Sequence, residues 1–135
     1  KNMRIMIDTN IIISAILFPN SAPSKFIEEV TSKHTIVLCS YIIDELHRVF
    51  NKKFKDKLLY LEKFLSKFSY ELIYTPLDIE IDKYPKIRDI ADLPILVSAI
   101  IEDVDIIVTG DKDFFDIDIE KPDIITVKEY FENYN

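Results

Sequence analysis

Five short stretches of this chain are almost uninterrupted in their apolar character, and segments with helical periodicity separate them. Ile5 to Asp8, Thr35 to Cys39, Leu72 to Tyr74, Ile106 to Thr109 and Ile124 to Thr126 read as strands. A strand wetted on one side alternates apolar and polar residues, whereas a strand covered on both faces is a continuous apolar run. Continuous runs alternating with helices predict a parallel sheet sandwiched between helical layers, the doubly wound α/β class. A chain of 135 residues with 48% hydrophobic content suits one such domain.

The intervening segments carry their own punctuation. Asn10 to Leu17 reads as a short helix stopped by Pro19 and Asn20. Pro23 suits the first turn of the next helix, whose apolar face is Phe26, Ile27 and Val30. Ser40 reads as the N-cap of a helix through about Asn51, with Ile42, Ile43, Leu46, Val49 and Phe50 inward. Lys55 to Phe68 has helical spacing, and Pro76 to Ala91 is mostly loop with one helical turn. A helix then starts near Asp92, accommodates Pro94 in its first turn and ends about Glu102. Thr126 and Glu129 form a capping box that opens a terminal helix.

The acids fall at particular places in this pattern. Asp8 closes the first strand and Asp111 follows the fourth, so both should emerge at strand carboxyl ends, where open α/β sheets form their ligand crevice. Glu45 and Asp92 lie near the starts of helices that leave the same edge. Taken singly, each has a structural reading: Asp8 and Asp92 as helix caps, Glu45 as a surface residue, Asp111 as a turn former. Taken together, four carboxylates on one rim repel one another unless a cation neutralises them, which points to Mg²⁺ or Mn²⁺ and phosphodiester chemistry. Asp89 and Asp113 are second-tier acids for the same roles, while Asp103 and Asp105 precede a strand and belong at the opposite edge.

Composition narrows the alternatives. A formal charge of −7 argues against a protein that holds nucleic acid by a broad basic surface. The cluster Lys52-Lys53-Phe54-Lys55-Asp56-Lys57, with Arg48 upstream, reads either as a solvated helix face or as a patch that guides a phosphate backbone. A single glycine rules out a glycine-rich phosphate cradle. The single cysteine, Cys39, permits no internal disulfide and reads as a small buried hydrophobe; His34 and His47 lack partners at zinc spacing. An aspartyl-phosphate phosphatase needs a second acid two residues after Asp8, where this chain has Asn10. No apolar run is long enough to span a bilayer, and the first residues lack the features of a secretion signal, so a cytoplasmic protein without membrane contact is expected.

Met6-Ile7-Asp8-Thr9-Asn10 with Ser14 downstream, Asp44-Glu45-Leu46, Asp92 to Ala99 and Thr109-Gly110-Asp111-Lys112-Asp113-Phe114 occur in the order and spacing of PIN-domain nucleases. The chain resembles that family from Met3 to its terminal helix, and within it the branch of VapC-like toxins of toxin–antitoxin systems. The resemblance implies one PIN-like domain over residues 1–135 and a cytoplasmic, divalent-metal-dependent endoribonuclease that leaves a 3′-hydroxyl and a 5′-phosphate. It implies Asp8, Glu45, Asp92 and Asp111 as catalytic and metal-binding acids, with Glu45 acting through a water. Thr9, Asn10, Ser14 and Thr109 are the implied polar supports. The implied partners are an RNA substrate, an antitoxin protein and a second copy of the chain. The alternative from another class is a PIN-fold docking module without significant nuclease activity.

Overall fold

The computed structural model describes residues 2–134. Its strands are β1 (Arg4–Ile7), β2 (Thr35–Cys39), β3 (Glu71–Ile73), β4 (Ile106–Val108) and β5 (Asp123–Ile125). Every pairing is parallel, in the order β3-β2-β1-β4-β5. The helices are α1 (Thr9–Leu17), α2 (Ala22–Lys33), α3 (Ser40–Lys53), α4 (Leu58–Lys67), α5 (Leu93–Ile101) and α6 (Val127–Asn133). The result is the expected α/β/α arrangement. The chain moves outward from β1 through β2 to β3, then returns to place β4 on the other side of β1. That reversal leaves a crevice outside the carboxyl ends of β1 and β4.

The continuous apolar runs are explained by burial on both faces. Ile5, Met6, Ile7, Val37, Ile107 and Val108 have no accessible surface. Cys39 is equally buried, as a small hydrophobe should be. α5, Leu-Pro-Ile-Leu-Val-Ser-Ala-Ile-Ile, is apolar almost all round and is buried from Leu93 to Ala99 apart from partly exposed Pro94. At the other end of the chain, Tyr130 of α6 packs edge-to-face on Phe26 of α2, with ring centroids 5.1 Å apart. The terminal aromatics Tyr130, Phe131 and Tyr134 thus pack against the body of the molecule.

Two local expectations change. Ser40 is not an N-cap: α3 begins at Ser40 itself, with Cys39 at the cap position and no side-chain cap bond. β2 and β3 end side by side, so the Ser40 hydroxyl instead accepts from Thr75 N at 2.9 Å, while Thr75 Oγ1 accepts from Tyr41 N at 3.2 Å. Thr75 therefore supplies the cap oxygen from a neighbouring connection. The segment from Lys55 to Phe68 is also divided, a 3₁₀ turn over Lys55–Lys57 preceding α4. The capping box of α6 forms as read: Glu129 N donates to Thr126 Oγ1 and Thr126 N to Glu129 Oε1.

Candidate active site

β1 and β4 pair so that Ile7 lies opposite Val108, and the ladder continues one step further through Asp8 N to Val108 O at 3.0 Å. Asp8 and Thr109 consequently leave the sheet side by side. Thr109 Oγ1 donates to Asp8 Oδ2 at 2.7 Å, and the backbone N–H of Thr9 donates to Asp8 Oδ1 at 2.8 Å as the N-cap bond of α1. Asp8 is thus both helix cap and rim acid. Its side chain is only 5% exposed.

The other three acids arrive from separate elements. Glu45 lies one turn into α3, where the hydroxyl of Thr9 donates to its Oε1. Asp111 follows Thr109 and donates its backbone N–H to Thr109 Oγ1, 3.0 Å away; its own Oδ1 takes the N–H of Asp113 at 2.9 Å. Asp92 stands at the start of α5 without a side-chain capping bond. The structure therefore brings Asp8, Glu45, Asp92 and Asp111 onto one rim, with Thr9 and Thr109 as hydrogen-bonding links between them. Asn10 and Ser14, one turn apart on α1, line an adjoining cleft of about 310 Å³ with Gly110 and Asp111. Asp89 and Asp113 join the same rim: one carboxylate oxygen from each of Asp89, Asp92 and Asp113 lies within 4.8 Å of the others. Asp105 sits at the opposite edge, accepting from Arg4 N at 2.8 Å and pairing with Lys121, which also pairs with Asp103.

The electrostatics follow from this crowding. Burial pushes the Asp8 carboxyl up, the bonds from Thr109 and Thr9 oppose that rise, and the charges of Glu45 and Asp111 add to it. Asp92 is pushed up to about 7, by burial first, then by a shared hydrogen bond with Asp111 and by the charges of Asp111, Asp8 and Asp89. No donor reaches the solvent-screened Oδ2 of Asp92. Among the described residues, no lysine or arginine ion-pairs with Asp8, Glu45, Asp92 or Asp111. A set of oxygen donors with surplus negative charge fits a hard divalent cation such as Mg²⁺ or Mn²⁺ better than a soft metal.

The raised value of Asp92 has a consequence for stability. The unfolded chain releases this proton near pH 4 and the folded protein near pH 7, so the fold binds the extra proton between those limits. Metal-free protein should lose stability as pH rises through that window, with Asp8 contributing in the same direction. Thermal melts in EDTA from pH 5 to 8 should show a falling midpoint, and Asp92→Asn should flatten the fall. A midpoint that rises with pH would contradict the crowding described.

Two features were less legible in the sequence. Arg88 pairs with Asp116 at 2.6 Å and with Asp113 at 3.5 Å, putting a cation at the outer lip of the acid cluster. Its only signal in the sequence is its place beside Asp89. Tyr41 donates its hydroxyl to Ala91 O at 3.0 Å, joining α3 to the segment that carries Asp92, which required knowing the course of residues 76–91. His47 is remote in role, with Nδ1 on Ile43 O and Nε2 beside Glu62.

A parallel α/β sheet with its acids gathered where the strand order reverses is the build of PIN-like nucleases. The chain belongs to the PIN-domain family, whose description, PIN domain, matches residues 4–113. Among solved structures it is similar to the crystal structure of VapBC2 from Rickettsia felis bound to a DNA fragment from their promoter. That similarity has a TM-score of 0.68 and 26% sequence identity, covering 91% of this chain and 97% of that chain. No curated protein matches it at the level of significance required of the structures. The VapC-like resemblance read from the motifs accords with both matches. No helix among the described residues is long and apolar enough to cross a membrane.

Proposed function

We propose that this protein is an endoribonuclease dependent on Mg²⁺ or Mn²⁺ and the toxin of a toxin–antitoxin pair. The observation that carries the reading is the convergence of Asp8, Glu45, Asp92 and Asp111 on one rim where, among the described residues, no lysine or arginine ion-pairs with any of the four. These four would hold the cation, Asp8 directly and Glu45 through a water, with Asp89 and Asp113 as further acids beside Asp92. When bound, the cation supplies Lewis-acid charge that activates water and offsets the charge developing on the phosphate. Thr109 and Thr9 fix the orientations of Asp8 and Glu45, so those carboxylates need little rearrangement to receive charge. A divalent charge held beside Asp92 would favour its ionised form. Hydrolysis places the water oxygen on phosphorus, breaks the bond to the 3′-oxygen and returns a proton to that oxygen. The similarity to VapBC2 supports a protein partner for this chain, its antitoxin; association with a second copy of the chain is part of the same proposal, on the resemblance to VapC-like toxins read from the motifs.

Cleavage assays on structured and unstructured RNA with Mg²⁺, Mn²⁺ or EDTA test the reading. Cleavage in either metal and none in EDTA is the expected result. Millimolar Mn²⁺ or Mg²⁺ should also raise the melting temperature by several degrees, because the cation binds the folded rim and not the unfolded chain. A wild-type protein freed of its partner that cleaves no RNA in either metal would instead be a docking module.

A further inference from the structure

An acidic rim poses a problem for a polyanionic substrate, and the cations placed around it suggest how the strand is held. Tyr41, Glu45, Arg48 and Lys52 recur at intervals of four, three and four residues, which puts them on one stripe of α3. The stripe starts at the cleft, where Tyr41 bonds to Ala91 O and Glu45 to Thr9, and runs outward to the exposed Arg48 and Lys52. Neither Arg48 nor Lys52 has an ion-pair partner among the described residues. A second cation, Arg88, comes from the segment that carries Asp89 and reaches the rim at Asp113, whose carboxylate lies beside those of Asp89 and Asp92. Its side chain is 65% exposed, and one guanidinium nitrogen bonds to Asp116 while another stands 3.5 Å from Asp113. Five N–H donors and one close hydrogen bond leave most of that fork available.

We propose that Arg88 and the Arg48–Lys52 stripe of α3 form a phosphate clamp astride the acidic cleft, gripping the backbone of single-stranded RNA on both sides of the cleaved bond. The proposal rests on the nuclease reading for its substrate and extends it to residues outside the acid set. Charge complementarity favours this occupant: the chain carries −7 overall, so a phosphate backbone needs fixed local cations to approach. Guanidinium groups grip phosphate oxygens in pairs, which suits arginine at positions 48 and 88. A single line of point contacts along one helix suits one flexible strand, whose backbone can follow it. It also gives the basic run after Arg48 a use, since Lys52 is its first member and continues the line away from the cleft.

The test uses the full chain with Arg48→Ala, Arg88→Ala and Arg88→Lys, first checked for an unchanged melting transition. Two quantities are measured: steady-state cleavage of a short single-stranded RNA in Mn²⁺, and binding of the same fluorescent RNA by anisotropy over a range of salt. Each alanine variant should raise KM and Kd roughly tenfold, as expected for one lost charge-assisted contact, with kcat within about twofold. The slope of log Kd against log salt should fall by about 0.7 for each contact removed. Arg88→Lys should recover part of the loss. KM, Kd and salt slope unchanged in both alanine variants would overturn the clamp while leaving the nuclease intact. A fall in kcat at constant KM would also overturn it, by making the arginines supports of the fold or chemistry. Arginine-dependent RNA binding without cleavage would keep the clamp and remove the nuclease reading.

Discussion

Asp8→Asn is expected to lower metal-dependent RNA cleavage by at least about 100-fold while the protein stays folded. Replacing even an outer partner of a metal ligand typically costs about 10–100-fold, and Asp8 is the acid proposed to touch the cation itself. The fold should tolerate the change for identifiable reasons. The amide oxygen still accepts the N–H of Thr9, preserving the cap of α1. Removing a buried charge relieves its repulsion from Glu45 and Asp111. Against this, Thr109 already accepts the N–H of Asp111, so its hydroxyl proton loses the carboxylate it bonds to now. These effects oppose one another, and the melting temperature in EDTA should move little. The added stability from Mn²⁺ should shrink. Equal cleavage by the folded variant and the wild type would remove Asp8 from the site and point to a contaminating nuclease.

Phe114→Ala should give the largest loss of stability among changes near the rim. Phe114 is fully buried at the end of the 3₁₀ turn that follows Asp111, and its backbone N–H bonds to Asp111 O at 3.2 Å. Truncating a buried phenylalanine costs about 3–5 kcal/mol through lost burial and the cavity left behind. For a domain of this size that corresponds to a fall in melting temperature of more than about 10 °C. The same side chain anchors the loop bearing Asp111 and Asp113, so cleavage should fall at temperatures where the variant remains folded. Phe114→Leu retains much of the volume and should show a smaller loss of both. A Phe114→Ala protein with wild-type melting and cleavage would show that the turn holds itself in place without its buried ring.

The sheet was legible because burial on both faces leaves a direct mark in the residues. Ile5-Met6-Ile7 and Ile106-Ile107-Val108 admit few other readings, and each strand end falls within one residue of its expected place. The rim position of Asp8 followed, since an acid that closes a buried strand has only the edge of the sheet to go to. Relations between distant residues left no such mark. Ser40 has the chemistry of a cap, yet its oxygen is taken by Thr75, and only the pairing of β2 with β3 shows why. The Thr9–Glu45 bond spans 36 residues, and the approach of Asp89 to Asp113 depends on the path of the segment 76–91. Arg88 was invisible for the same reason: its partners, Asp113 and Asp116, are brought to it by that path.

The pairing of β4 with β1 also sets an order in time. Thr109 and Asp8 are 101 residues apart, and β4 must leave the ribosome before the strand beside β1 can be filled. Synthesis proceeds at about 5–20 residues per second, so a growing chain carries Asp8 for at least several seconds before Asp111 exists to join it. A nascent chain therefore presents half a rim and no assembled cluster. If the finished protein cuts RNA, the ribosome making it works on a harmless precursor until nearly the last strand has emerged.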